Sequence, residues 1–151
     1  MGALVVIALA VSGAFPSGER FEAPPLWLFA AQLAAAVVVH VLVTVVGYRV
    51  PALAPGTDEA TAGQAFLRGT IVRMSMCESI ALASLAAAFA VDSVGYVAVL
   101  SGTAVALVLL LVHAWPHSGP VERTVAALER DGARSHLRER LGLPTGPIQE
   151  L

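Results

Sequence analysis

Lysine is missing from this chain, cysteine occurs once, and only 13% of the residues are charged. A soluble domain carries about 25% charged residues, so apolar side chains must here cover much of the outer surface, which hydrocarbon tolerates and water does not. A single cysteine, Cys77, excludes an intrachain disulfide framework and a cysteine-based zinc site. A net charge of -2 leaves no basic footprint, which argues against nucleic acid as a partner. No phosphate-binding glycine loop, dinucleotide fingerprint, nucleophile elbow or metalloprotease helix occurs, so the chain is not expected to be an enzyme or to need a cofactor or metal. The nine basic residues are all arginine, which with abundant Ala, Val and Gly fits a GC-rich, bacterial coding bias.

What is present is apolar: 57% hydrophobic residues and a mean hydropathy of +0.77. The pattern predicts an all-α fold, a four-helix transmembrane bundle of two antiparallel hairpins over residues 1–116, with spans at 2–15, 26–47, 71–91 and 95–113. The first span is short for a hydrocarbon core of about 30 Å. Residues 16–25 read as an extramembrane loop, and Arg49 and Pro51 end the second span. Thr61 and Gln64 have capping-box spacing for a helix that starts outside the bilayer, and Asp92 and Ser93 form the tight turn of the second hairpin. Residues 117–151 predict a cytoplasmic tail with a short amphipathic helix through Val121, Val125 and Leu128. A second helical piece bears Leu137 and Leu141, and an irregular end follows.

Orientation follows from arginine. Three lie at 48–73 and five in the tail, against Arg20 in the first loop and none at 92–94. This places both termini in the cytoplasm and the chain in the inner (plasma) membrane as a multi-pass protein. Trp27 and Tyr96 fall at the expected outer ends, Tyr48 and Trp115 at the inner ones, as interfacial aromatics should.

Glu78 is the candidate site residue, because a carboxylate inside a span is costly and marks function by default. His40, seven residues before Gly47, lies at a comparable depth, so a Glu78–His40 pair across neighbouring helices could take up and release protons. The structural alternative is that Glu78 pairs with Arg73 or Arg68, or hydrogen-bonds Ser75 or His40, and fixes helix packing. Small residues at four-residue spacing, Ser79/Ala83/Ala87 and Ala98/Gly102/Ala106, predict the seam between the third and fourth spans. His113 and His117 lie four apart, but Pro116 breaks the helix that would align them on a metal, and both read as interfacial.

The stretch RMSMCESIALASLAAAFAV, with Arg73 five residues before Glu78, resembles small polytopic bacterial membrane proteins. Four spans with one intramembrane carboxylate are also similar to the doubled-hairpin proteolipid subunits of rotary ATPases, a resemblance that implies ion translocation. The chain departs from that family in having Glu78 in its third span, no Gly-rich first helix and an added Arg-containing tail. The expectation is therefore a non-catalytic membrane protein, a scaffold or accessory subunit, with the lipid bilayer and a homo-oligomer or larger membrane complex as partners. The alternative is a small proton- or ion-coupled transporter or channel subunit using Glu78 and His40.

Overall fold

The computed structural model describes residues 2–15, 24–56, 59–91 and 94–143. The expected first loop, the Asp92–Ser93 turn and the irregular end lie outside them. Among the described residues the structure is all-α: α1 (Gly2–Val11, continued by a 3₁₀ turn, Ser12–Ala14), α2 (Leu26–Leu42, ending in a π-helical turn, Val43–Gly47), α3 (Glu59–Ala90), α4 (Gly95–His113), α5 (Ser118–Leu128) and α6 (Leu137–Arg140). Three helical segments, Leu26–Gly47, Ala60–Ala90 and Gly95–His113, are long and apolar enough to cross a membrane. The fourth crossing expected at 2–15 is represented only by α1 and its 3₁₀ turn, which at 1.5 Å per residue reach about 20 Å, short of a core of about 30 Å.

Apolar runs bounded by breakers set α2 and α4. Pro25 precedes the first helical residue of α2, and Gly95, at φ +61°, turns the chain into α4. α3 is different. It begins at Glu59, ahead of Thr61, so Thr61 sits inside the helix and no Thr61–Gln64 capping box forms there. Its 32 residues reach about 48 Å, well beyond the hydrocarbon thickness, so its first turns project from the base of the bundle, the end at which α2 and α4 finish.

The tail covers this projection. Val121, Val125 and Leu128 of α5 and Leu137 of α6 bury against Ala62 of α3 and against Val50 and Leu53 of the α2–α3 connection. The Leu53 amide donates to the Leu128 carbonyl at 2.9 Å, binding the connection to the end of α5. The second helical piece of the tail is a single turn, fastened by Glu129, which accepts from the Ser135 amide and hydroxyl at 2.8 and 2.7 Å. Burial works to raise the Glu129 carboxyl, but these bonds and the charges of Arg138 and His136 outweigh it and hold the group below the usual carboxylate range.

Within the bundle, α3 and α4 make the most extensive contact. On α4 the expected seam is found, with Ala98, Gly102 and Ala106 all buried. On α3 it is not: Ser79 and Ala83 are exposed, and Cys77, Ala81, Ser84 and Ala88 face the core instead. Alanine is so frequent on this helix that small-residue stripes occur on several faces, and the true face is chosen by the side chains that must be buried with it. The tightest crossing is Ser84 against Gly102, where a Cβ on Gly102 would stand 2.0 Å from the Ser84 hydroxyl and 2.4 Å from its Cβ. At the apex, the opposite end, Tyr96 donates its hydroxyl to the Ala8 carbonyl at 2.9 Å and anchors α1 to α4. Both tryptophans are exposed, whereas Tyr48 and Tyr96 are buried and hydrogen-bonded to protein, so the tyrosines are not the interfacial anchors expected.

Because the atom in the way at Gly102 is a Cβ on a packed helix, replacing it with alanine must part α3 from α4. Gly102→Ala should lower stability by about 1–3 kcal/mol, an overpacking cost, and depress the thermal midpoint in detergent by several degrees. A Gly102→Ala midpoint equal to that of the wild type would show that the crossing is looser than described.

Candidate functional site: an arginine between two helix ends

Where α2 ends, the Thr44 hydroxyl turns back to the His40 carbonyl at 2.7 Å and the last turn widens into a π-helical one that closes at Gly47. α4 ends at His113, whose side chain is fully buried. A helix C-terminus exposes carbonyls that have no partner within the helix and carries about half a negative charge. Two such ends thus meet at the base of the bundle, and α3 runs past both.

Arg73 of α3 is fully buried between them. Its Nε donates to the His113 carbonyl at 3.0 Å, one terminal nitrogen to the Gly47 carbonyl at 3.3 Å, and the other to the Thr70 hydroxyl at 2.9 Å. The Tyr48 ring lies 4.6 Å from the guanidinium carbon on one side, and Arg123 of α5 approaches the same ring at 5.2 Å. Two helix ends of about half a charge each roughly balance one guanidinium, so the cation is held without a carboxylate among its hydrogen-bond partners. Glycines make room for it: a Cβ on Gly47 would lie 3.0 Å from Arg73 Cγ, and one on Gly69 3.2 Å from a terminal nitrogen.

Beside the arginine, His40 Nδ1 and His113 Nε2 lie 2.9 Å apart, one ring donating and the other accepting. The Tyr48 hydroxyl is 3.4 Å from His113 Nδ1 and donates to the His113 carbonyl at 3.3 Å. A separate polar clamp lies nearer the apex. Gln32 of α2 donates to Ser84 of α3 and to the Ala98 carbonyl of α4, both at 3.0 Å, and accepts from Ser101 at 2.9 Å. It forms a wall of a cavity of about 250 Å³ open between α2 and α3. Each clamp therefore joins α2, α3 and α4 through polar groups whose valences are filled within the chain.

Of the residues expected to form the site, His40 and Arg73 are brought to the same cluster, and Glu78 is not. Among the described residues Glu78 has neither a hydrogen-bond nor an ion-pair partner; it is half-buried, with exposed Ser75 and Leu82 near it on its face of α3. Ser75 and Ser79 donate instead to the carbonyls of Ile71 and Met76 on their own helix. His40 has His113 as its partner and Arg73 has helix-end carbonyls and the Thr70 hydroxyl, so neither is joined to Glu78. His113, read as interfacial, is a buried member of the cluster; His117 caps α5 by accepting from the Gly119 amide at 3.1 Å. Among the described residues no three of His, Cys, Asp and Glu converge in a way that would hold a metal ion.

No protein-family model matches the chain, and no curated protein or solved structure is significantly similar to it.

The geometry requires a planar, forked donor at position 73, since one ammonium cannot serve two separate helix ends and the Thr70 hydroxyl together. Arg73→Met should cost about 3–5 kcal/mol by stranding buried carbonyls, and Arg73→Lys should recover less than half of that loss. Unfolding in a detergent and denaturant series measures both, and full recovery by lysine would show that charge alone, without the fork, holds the helix ends.

Proposed function

We propose that this chain is a non-catalytic, multi-pass protein of the bacterial inner membrane that serves as an accessory or scaffold subunit of a membrane complex. α1 would act as a thin fourth crossing element, and both termini would face the cytoplasm. The observation that carries the reading is the contrast between Glu78 and the buried polar groups that join the spans. Arg73, His113, Gln32 and Tyr48 have partners within the chain and hold its helices to one another, whereas Glu78 has none among the described residues. An ionisable side chain at bilayer depth needs a donor, and a partner on a neighbouring membrane helix would supply it.

Two further features support the role. Only 17% of the most apolar stretch of Leu26–Gly47 is buried by the chain, against 44% for Gly95–His113, so α2 offers a long apolar face for lipid or for a neighbouring helix. Eight of the nine arginines lie in the α2–α3 connection, the adjoining part of α3 and the tail, and one, Arg20, precedes α2 in the sequence, which favours placing the base in the cytoplasm. The α5–α6 unit, docked on the projecting part of α3, would then give the complex a rigid cytoplasmic face.

Glu78→Gln separates this role from the transport alternative. The substitution should leave the melting of the isolated chain within about 0.5 kcal/mol of wild type, since no internal contact is lost. In mild detergent extracts it should release the chain from its native-gel complex. Wild-type proteoliposomes should pass no protons under an imposed potential. A proton flux that Glu78→Gln abolishes would overturn the accessory reading in favour of a transporter, and an undisturbed native complex would remove Glu78 from the contact.

A further inference from the structure

Arg49 and Arg68 are the two arginines of the base that the clamp does not use, and they border the same hollow. A cavity of about 440 Å³ opens between the α2–α3 connection and the projecting turns of α3, lined by both arginines and by Gln64. Among the described residues no acidic one lines it, and neither arginine has a hydrogen-bond or ion-pair partner. Apart from Thr61, its remaining wall is apolar and includes Leu53, Val46 and Val72.

The position of this hollow restricts what can fill it. Val46 lies in the last turn of α2 and Val72 one residue before Arg73, so both stand where the spans reach the bilayer surface. Both are exposed, Val46 by 43% and Val72 by 46%. Going outward from the membrane, a ligand here meets exposed valines first and the two arginines next. That is the sequence of acyl chain and phosphodiester in a phospholipid, and a basic pocket at a helix end is the arrangement that selects anionic headgroups. A free phosphate would use the arginines but leave the valine wall uncovered.

We infer that the Arg49–Arg68 cavity is a binding site for an anionic phospholipid, its phosphodiester on the two guanidiniums and its acyl chains against Val46 and Val72. The inference rests on the membrane location alone and is independent of the accessory role. Gln64, one turn before Arg68 on α3 and on the side away from Val72, lines the same cavity and can donate its amide to a second headgroup oxygen.

The test is titration of the purified full chain in a neutral detergent with phosphatidylglycerol, phosphatidylcholine and inorganic phosphate, read by native mass spectrometry and by the thermal midpoint. Phosphatidylglycerol should bind at least about tenfold more tightly than phosphatidylcholine and raise the midpoint, because a net headgroup charge adds charge-assisted bonds. Arg49→Gln combined with Arg68→Gln should remove the preference. Gln64→Glu, which sets a carboxylate one turn from Arg68, should weaken phosphatidylglycerol about tenfold. Equal affinity for the two lipids, undiminished binding in both variants, or a phosphate-induced shift matching that of phosphatidylglycerol would each overturn the site.

Discussion

A guanidinium buried at the foot of a membrane bundle must find acceptors or leave, and in this protein the acceptors are the carbonyls that two neighbouring helices cannot satisfy themselves. The His113 and Gly47 carbonyls are the last of α4 and of the π-helical end of α2, and Arg73 takes both with one planar group. The same contact solves three problems: it neutralises the cation, it fills the valences of two helix ends away from water, and it fixes where those helices stop relative to α3. Gly47 and Gly69 follow from it, since any side chain there would crowd the arginine. The stacking of Tyr48 follows too, because the residue after Gly47 is carried directly over the guanidinium.

From this point the molecule extends in two directions along α3. Toward the apex lie the Ser84–Gly102 crossing and the Gln32 clamp, so α2, α3 and α4 are joined at two levels by polar groups and between them by apolar packing. Away from the bundle, α3 continues past the ends of α2 and α4, and the tail folds back on it. α5 and α6 cover that projection with Val121, Val125, Leu128 and Leu137 instead of lying free. Arg123 connects the two regions, since it belongs to α5 and reaches the Tyr48 ring that also stacks on Arg73.

The limits of what could be read from sequence follow the same physics. The ends of α2 and α4 were legible because apolar runs are bounded by Pro25, Gly47, Gly95 and Pro116. The start of α3 ahead of its apolar run was legible too, from Thr61 and Gln64, within two residues of where the helix begins; its docking under the tail was not, because that contact joins segments far apart in sequence. Depth was legible for His40, Arg73 and Glu78 from counting residues, but depth says nothing about which way each side chain points around its helix. Glu78 and Arg73, five residues and so roughly 140° apart on α3, do not meet, whereas the facing of His40, on another helix, cannot be read from spacing. Backbone carbonyls leave no mark in a sequence, so the true acceptors of Arg73 were invisible; the available hints were the two glycines, Gly47 and Gly69, near it in depth.

Arg73 is locked to the ends of α2 and α4 in the native state. Amide-type hydrogen exchange at the arginine side chains, followed by nitrogen-15 NMR of arginine-labelled protein in micelles, tests this lock. The Arg73 Nε–H should exchange only through opening of the bundle, orders of magnitude more slowly than the Nε–H of exposed Arg49 and Arg68. Exchange of Arg73 at the rate of those surface arginines would contradict the account, because the group would then be hydrogen-bonded to water and the two helix ends held by something else.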